Sequence, residues 1–169
     1  MESRALANIS TPPSQQRAWW GPRFGRICRL RYAAGAASGD GARLYGGRWN
    51  SRGVRVVYAS TSLALAAVET FVNLVPADLV SIEGELPDSL AIRKLDPSIL
   101  PAGWYASRDE SLRRFGDDWI RSGETVALLV RSAAIHGEWN VLFNPAHPEF
   151  SQIQFKSPEQ FEFDVRMFR

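Results

Sequence analysis

The stretch LYGGRWNSRGVRVVYASTSLALAAVETFVNL, residues 44–74, carries the strongest local signals in this 169-residue chain. Its Gly46-Gly47 pair predicts a turn, because glycine adopts backbone angles closed to other residues. Residues 54–58, VRVVY, are β-branched and aromatic and predict a strand. A hydroxyl at one of positions 60–62 can cap the helix that follows. The apolar side chains of that helix repeat at helical spacing: Leu65, Val68 and Val72.

Glu69 falls at the edge of this apolar stripe, four residues after Leu65. A carboxylate in such a position is costly to bury unless it is paired or held for chemistry. Glu69 is therefore the first candidate for a functional residue. A rim carboxylate paired with an arginine is the simpler interpretation of the same position.

Composition places the chain among ordinary globular proteins of one domain, with 45% hydrophobic and 22% charged residues. The net charge of +2 gives no support for a nucleic-acid coat protein. Arginines far outnumber lysines, and guanidinium is the better bidentate partner for phosphate or carboxylate. Cys28 is the only cysteine, which suits a reducing cytoplasm. One cysteine and two histidines offer little for a zinc site, and no apolar run has the length of a membrane span.

The rest of the chain alternates predicted strands with one long amphipathic helix. Residues 1–20 read as a loosely ordered arm, and residues 21–169 as one domain. The helix spans 110–122, with Gly123 suited to its C-terminal cap. Residues 79–86 alternate as a half-exposed strand, and the apolar run 126–130 predicts a central one. Further strands are predicted over 26–30, 90–95, 139–143, 153–155 and 161–165. This mixed order predicts an α+β fold with a mixed β-sheet core.

Polar side chains near the ends of predicted strands form a candidate site. Tyr58 and Ser132 end two buried strands, and Glu69 lies on the helix after the first of them. Strand ends and the loops beyond them are common places for sites. Each residue also has a structural interpretation: Tyr58 as core, Ser132 as a turn or cap residue, and Arg48 as a solvated turn residue.

Several familiar catalytic patterns are absent from the sequence. No GxxxxGK[ST] phosphate loop, GxSxG elbow or HExxH pair occurs. A histidine acting as base on Ser132 lacks the surroundings of a seryl hydrolase.

Several motifs in the right order resemble those of the RES domain, a family named for an arginine, a glutamate and a serine. They are GGRWNSRGVRVVYASTSLALAAVETFVNL, the preceding Arg26-Ile27, the strand ending in Arg131-Ser132, and EWNVLFNPAHP at 138–148. The resemblance runs from about Phe24 to the C-terminus. The family's usual proline after Asn-Ser is Arg52 here, and its common arginine before the later asparagine is Trp139.

The resemblance implies a fold similar to ADP-ribosyltransferases and membership of a bacterial toxin–antitoxin pair. Such toxins destroy NAD⁺ by breaking the nicotinamide–ribose bond, with phosphate as acceptor in a phosphorylase or water in a glycohydrolase. A minority transfer ADP-ribose to a protein. The implied partner is an antitoxin with a helix-turn-helix (Xre-type) part, in the cytoplasm, without direct contact to nucleic acid or membrane and without a metal. The oligomeric state stays open, with a homodimer as one option.

The resemblance also implies roles for six residues. Arg26 and Arg48 would bind the pyrophosphate of NAD⁺ or an incoming phosphate. Glu69 would stabilise the positive charge that develops on the ribose. Tyr58 would stack on a flat ring, and Ser132 would hydrogen-bond to the carboxamide or the ribose. Asn140, in the later motif, belongs to the substrate-binding set without a more specific role. A protein ADP-ribosyltransferase with the same pocket and a non-catalytic NAD-binding module are the alternatives.

Overall fold

The computed structural model describes residues 23–72, 77–106 and 109–168. The N-terminal arm predicted over 1–20 lies outside these residues. The described strands are β1 Arg23–Arg29, β2 Val57–Ser60, β3 Leu79–Glu85, β4 Ile92–Lys94, β5 Ala127–Arg131, β6 Trp139–Phe143, β7 Gln154–Phe155 and β8 Glu159–Phe161. The helices are α1 Asp40–Tyr45, α2 Leu63–Phe71 and α3 Glu110–Ser122. Short 3-10 turns span Leu30–Gly35, Pro97–Ile99, Pro148–Gln152 and Val165–Phe168.

The strands form one mixed sheet in the order β4-β5-β6-β2-β1-β3-β7, with β8 also paired to β3. Only β4 and β5 run parallel, and every other described pair is antiparallel. The predicted α+β class with a mixed sheet is confirmed.

The ladder between β1 and β2 is unusually short. β1 pairs with β3 at seven positions, whereas it pairs with β2 only at Gly25↔Ser60. Beyond that pair, the Arg26 guanidinium donates a hydrogen bond to the Tyr58 carbonyl. The Arg26 side chain thus bonds to a carbonyl oxygen of β2 that would accept from a backbone amide of β1 if the ladder continued. The sheet opens into a cleft between the two strands at this point.

The core lies on both faces of the sheet. Side chains alternate along β5, so that Ala127 and Leu129 join one buried cluster while Leu128 and Val130 join the other. α3 covers the second cluster through Leu112 and Trp119. Burial of these apolar side chains is the main stabilising term of the fold.

Local chemistry explains where the long helices begin and end. The Ser62 hydroxyl accepts from the Leu65 amide at 3.1 Å and caps α2. Asp109 caps α3 in the same way through the Ser111 amide. Gly123 follows α3 with φ +60°, as the predicted C-terminal cap requires.

Three predicted details are wrong. The strand expected at 54–58 begins only at Val57, because the Val54 amide turns back to the Ser51 carbonyl and the Val54 carbonyl accepts from Asn50. β3 is not half-exposed, because β1 flanks it on one side and β7 and β8 on the other, and its first four residues are buried. The last strand ends at Phe161, and 165–168 form a 3-10 turn in which Val165 is 69% exposed.

Candidate active site

A cavity of about 410 Å³ opens where β1 and β2 separate. Its floor and walls come from β1, the end of β2, helix α2 and single residues of β3 and β6. The lining residues are Gly25, Arg26, Ile27, Cys28, Arg29, Tyr58, Ala59, Ser60, Ala66, Glu69, Thr70, Leu79 and Asn140. A cavity of this size suits a small organic ligand or part of a larger one.

The Glu69 carboxylate is held at the wall of this cavity by two side chains from distant parts of the chain. Its Oε1 accepts from the Ser132 hydroxyl at 2.7 Å and from the Asn140 amide at 2.6 Å. Ser132 directly follows β5, and Asn140 lies on β6. β5 and β6 are neighbours in the sheet, so the two donors lie close together. Both reach the same carboxylate oxygen of Glu69, on helix α2.

Ser132 is oriented by its own turn. Its hydroxyl oxygen accepts from the backbone amides of Ala134 and Ile135 at 3.1 and 3.0 Å. Both lone pairs are then engaged, so the hydroxyl proton is directed to Glu69. Ser132 is fully buried. Sequence reasoning treated a turn role and a site role as alternatives, and here the turn aims the hydroxyl at the carboxylate.

The half-buried Arg26 brings a positive charge to the same cavity. One guanidinium nitrogen donates to the Tyr58 carbonyl, but its buried Nε has no hydrogen-bond partner. Burial lowers the pKa of Arg26 from its ordinary value and raises the pKa of the neighbouring Cys28 thiol. A buried donor without a partner is rare in folded proteins. Arg26 as a residue lines the cavity, and a guanidinium in a cavity wall suits the recognition of an anion.

The Tyr58 hydroxyl is engaged away from the Glu69 group of donors. It donates to Asn50 Oδ1 at 2.7 Å and accepts from the Trp49 amide at 3.1 Å. Asn50 is fully buried, and its side-chain amide donates to the backbone carbonyls of Ala42 on α1 and of Ser51 and Val54 in the loop that follows. Tyr58 therefore holds the Gly-Gly turn in place, while part of the residue lines the cavity.

Arg48 lies outside the cavity lining. Its guanidinium donates to the carbonyls of Trp104 and Tyr105 at 2.7 and 3.2 Å and lies 5.9 Å from the Trp104 ring centre. Of the six residues assigned from sequence, the structure brings Arg26, Tyr58, Glu69 and Asn140 to the cavity wall. Ser132 does not line the cavity but hydrogen-bonds to Glu69. Arg48 hydrogen-bonds to backbone carbonyls of the 101–106 segment.

Sequence reasoning missed the part played by Ser60 in this arrangement. Ser60 was considered only as a helix cap, whereas Ser62 is the cap and Ser60 hydrogen-bonds to Asn140. The only sequence signal for a site role was the position of Ser60 just after a predicted strand. Many serines that belong to no site occupy such positions.

The described part of the chain offers neither a cluster of metal ligands nor a membrane-spanning helix. No group of three or more His, Cys, Asp or Glu side chains there is arranged to hold a metal ion. No described helix has the length and apolar character needed to cross a membrane.

Comparisons with known proteins identify the family. The family model for the RES domain matches residues 23–165. The Prs ADP-ribosylating toxin of Sphingobium sp. (strain YBL2) is 39% identical over 145 residues, covering 82% of this chain and 90% of that protein. Toxin Res of Yersinia enterocolitica is 34% identical over 148 residues, covering 84% of this chain and 97% of that protein.

The fold also matches a solved structure. A chain from the crystal structure of the M. tuberculosis MbcT–MbcA toxin–antitoxin complex aligns with a TM-score of 0.65 and covers 84% of this chain and 85% of that one. At 20% identity this likeness is evidence for the fold alone. The family match and the sequence relatives go further, and this chain belongs to the RES domain family.

Proposed function

We propose that this protein is an NAD⁺-consuming toxin that breaks the nicotinamide–ribose bond, with phosphate or water as the acceptor. The observation that carries the proposal is the Glu69 carboxylate, fixed by Ser132 and Asn140 at the wall of a cavity that also contains the Arg26 guanidinium. A carboxylate and a cation in one cavity match the opposite charges of the ribose centre and the pyrophosphate during this reaction.

The bond-breaking step requires charge stabilisation more than proton transfer. The electron pair of the C–N bond leaves with nicotinamide, which becomes neutral, and positive charge develops on the ribose. A fixed carboxylate stabilises that charge most when it needs no reorganisation. The two hydrogen bonds to Oε1 hold Glu69 for this role. An oxygen of phosphate or water then bonds to the ribose carbon, and when water attacks, it releases a proton.

Arg26 is assigned to the negatively charged parts of the substrate. Arg26 lines the cavity, and its guanidinium suits a phosphate oxygen of NAD⁺ or of an incoming phosphate ion. In the same proposal Asn140 and Ser132 keep the carboxylate in place, and Tyr58 contributes a flat surface. Arg48, whose guanidinium holds the Trp104 and Tyr105 carbonyls outside the cavity lining, keeps its assignment to the phosphates from the family resemblance alone. No step uses a metal ion.

The toxin role rests on relatives. The Sphingobium and Yersinia proteins are both named toxins, and the structural neighbour was solved as a toxin–antitoxin complex. The proposed partner is therefore an antitoxin, with the helix-turn-helix type and the cytoplasmic location carried over from the family resemblance.

A second candidate is transfer of ADP-ribose to a protein. The name of the 39% identical relative, an ADP-ribosylating toxin, favours it. Both reactions break the same bond and need the same carboxylate, so only the acceptor separates them.

The test is incubation of the purified protein with NAD⁺, with and without inorganic phosphate, and identification of products by mass. ADP-ribose-1″-phosphate formed only with phosphate identifies a phosphorylase, and free ADP-ribose in both buffers a glycohydrolase. Label appearing on a protein identifies the transferase. Intact NAD⁺ under all conditions refutes the proposal.

A pair of Glu→Gln variants tests the assignment of Glu69. Glu69→Gln should abolish turnover with the fold intact, because the amide carries no negative charge for the ribose centre. Glu110→Gln is the matched control, since this side chain is exposed on α3 and pairs with Arg114 outside the cavity. Undiminished turnover in Glu69→Gln would remove Glu69 from the mechanism.

A further inference from the structure

The buried hydroxyl of Ser60 forms a hydrogen bond with the Asn140 side chain. Ser60, the last residue of β2, is only 3% exposed and is the direct cross-strand partner of Asn140 on β6. Its hydroxyl oxygen lies 2.7 Å from Asn140 Oδ1. This contact continues from the carboxylate, since the amide nitrogen of the same Asn140 side chain lies 2.6 Å from Glu69.

The chemistry of the three groups fixes the direction of every hydrogen bond. An ionised carboxylate only accepts, so the Asn140 amide must present its NH₂ group to Glu69. Its carbonyl oxygen then faces Ser60, and the serine hydroxyl must donate. Ser60, Asn140 and Glu69 thus form one chain of donors that ends on the carboxylate, and such chains strengthen their members mutually.

Without the serine hydroxyl, Asn140 would be held at one end only. The terminal torsion of an asparagine side chain is soft, so the amide would rotate and hold Glu69 less firmly. Among the described residues, the Ser60 hydroxyl is the hydrogen-bond donor to Asn140 Oδ1. We propose that Ser60 is a positioning residue that acts through Asn140 on the Glu69 carboxylate. This inference rests on the proposed function.

The neighbouring Thr61 provides a matched control. Its hydroxyl also crosses from the end of β2 to β6, where it donates to the Trp139 carbonyl at 2.9 Å. Thr61 is not among the residues that line the cavity. The two hydroxyls therefore join the same pair of strands, but only that of Ser60 is connected to the carboxylate.

The experiment compares steady-state NAD⁺ turnover in Ser60→Ala, Thr61→Ala, Asn140→Ala and the double variant Ser60→Ala/Asn140→Ala. Ser60→Ala should lower kcat about threefold to tenfold, the effect expected for one hydrogen bond, with KM for NAD⁺ unchanged. Thr61→Ala should keep both constants. In the Asn140→Ala background, Ser60→Ala should cause no further loss, because coupled residues are non-additive. Urea unfolding confirms that each variant is folded.

Several outcomes would overturn the inference. An additional loss from Ser60→Ala in the Asn140→Ala background would mean that Ser60 acts independently of Asn140. A raised KM would mean direct substrate contact. An equal effect of Thr61→Ala would mean a general loosening of the strand end, and wild-type kcat in Ser60→Ala would leave Ser60 without a role.

A second readout separates this inference from the proposed function. If wild-type protein leaves NAD⁺ intact, the proposed function fails, and the side-chain amide signals of Asn140 in NMR spectra test the hydrogen-bond chain alone. Those signals should shift in Ser60→Ala and stay in place in Thr61→Ala. Unchanged signals in Ser60→Ala would refute the positioning role.

Discussion

Replacement of Arg26 by methionine should remove activity without weakening the fold. Arg26 is half-buried, its Nε atom is buried without a hydrogen-bond partner, and no described carboxylate forms an ion pair with it. Methionine has similar length and carries no donor. Because the wild-type residue is held at a cost to stability, its charge is best explained by a ligand that it binds.

The expected change in the free energy of unfolding of Arg26→Met is the sum of two opposing contributions. The variant loses the hydrogen bond from Arg26 to the Tyr58 carbonyl, a loss of about 1 kcal/mol. It also removes the unsatisfied buried N–H, which destabilises the wild type by about 1–3 kcal/mol. The variant should therefore be about 0–2 kcal/mol more stable, with a Tm that is equal or up to roughly 8 °C higher for a domain of this size.

The assay is thermal unfolding with and without ADP-ribose, alongside NAD⁺ turnover. A ligand at 100 times its Kd stabilises the folded state by about 2.7 kcal/mol, and this increment should be lost in Arg26→Met. Arg55→Met is the control, because Arg55 forms an exposed ion pair with Asp40 outside the cavity, and such pairs contribute about 0–1 kcal/mol.

Two results would contradict this reasoning. A Tm of Arg26→Met several degrees below wild type would show that the guanidinium supports the fold. An unchanged stabilisation by ADP-ribose would show that Arg26 does not bind the phosphates.

Two further predictions concern the Gly-Gly turn and the opposite edge of the sheet. A Cβ at Gly47 would clash with the Tyr58 hydroxyl oxygen and lie 2.7 Å from Asn50 Oδ1, so Gly47→Ala should lower the free energy of unfolding by about 1–3 kcal/mol. Urea unfolding measures this loss, and an unchanged free energy of unfolding would show that the turn absorbs the methyl group. Burial, and then the charge of Arg131, lower the pKa of Lys94 from 10.5 to about 8. The unfolded chain therefore binds more protons between these two pH values, and stability should rise with pH across that window. Lys94→Gln should reduce this increase in the free energy of unfolding, measured by urea unfolding at both ends of the pH window. The same increase in the variant and in the wild type would rule out Lys94 as its cause.

Elements with strong local signals were predicted closely. α3 spans Glu110–Ser122 as expected, because its apolar stripe is bounded by Gly123 at the C-terminal end. β6 also matches, since Asn144-Pro145 prevents its continuation. Where the prediction failed, a tertiary contact decided the outcome. The buried Asn50 side chain takes the Val54 carbonyl out of any ladder, and neighbouring strands on both sides bury β3.

The candidate site was only partly accessible from the sequence. The sequence grouped Glu69 and Ser132 at strand ends, and Asn140 came only from the family resemblance. The hydrogen bonds from the two donors to Glu69 span 63 and 71 positions of the chain. Their meeting at one oxygen depends on β5 and β6 being neighbours, which no local pattern encodes. The distinction between Arg26 and Arg48 also required the structure, since both are arginines beside predicted strands and turns.

The opening between β1 and β2 explains why the cavity lies beside Glu69. Gly25 is the last position at which the two strands pair, and a Cβ there would lie 2.9 Å from the Leu63 Cα. The absence of a side chain therefore lets the start of α2 pack directly on β1. The next residue, Arg26, takes the Tyr58 carbonyl and ends the ladder. Glu69 follows Leu63 by six residues, about 9 Å along the helix axis, which places it above the opened part of the sheet. Two adjacent residues of β1 thus determine how closely α2 approaches and where the cavity begins.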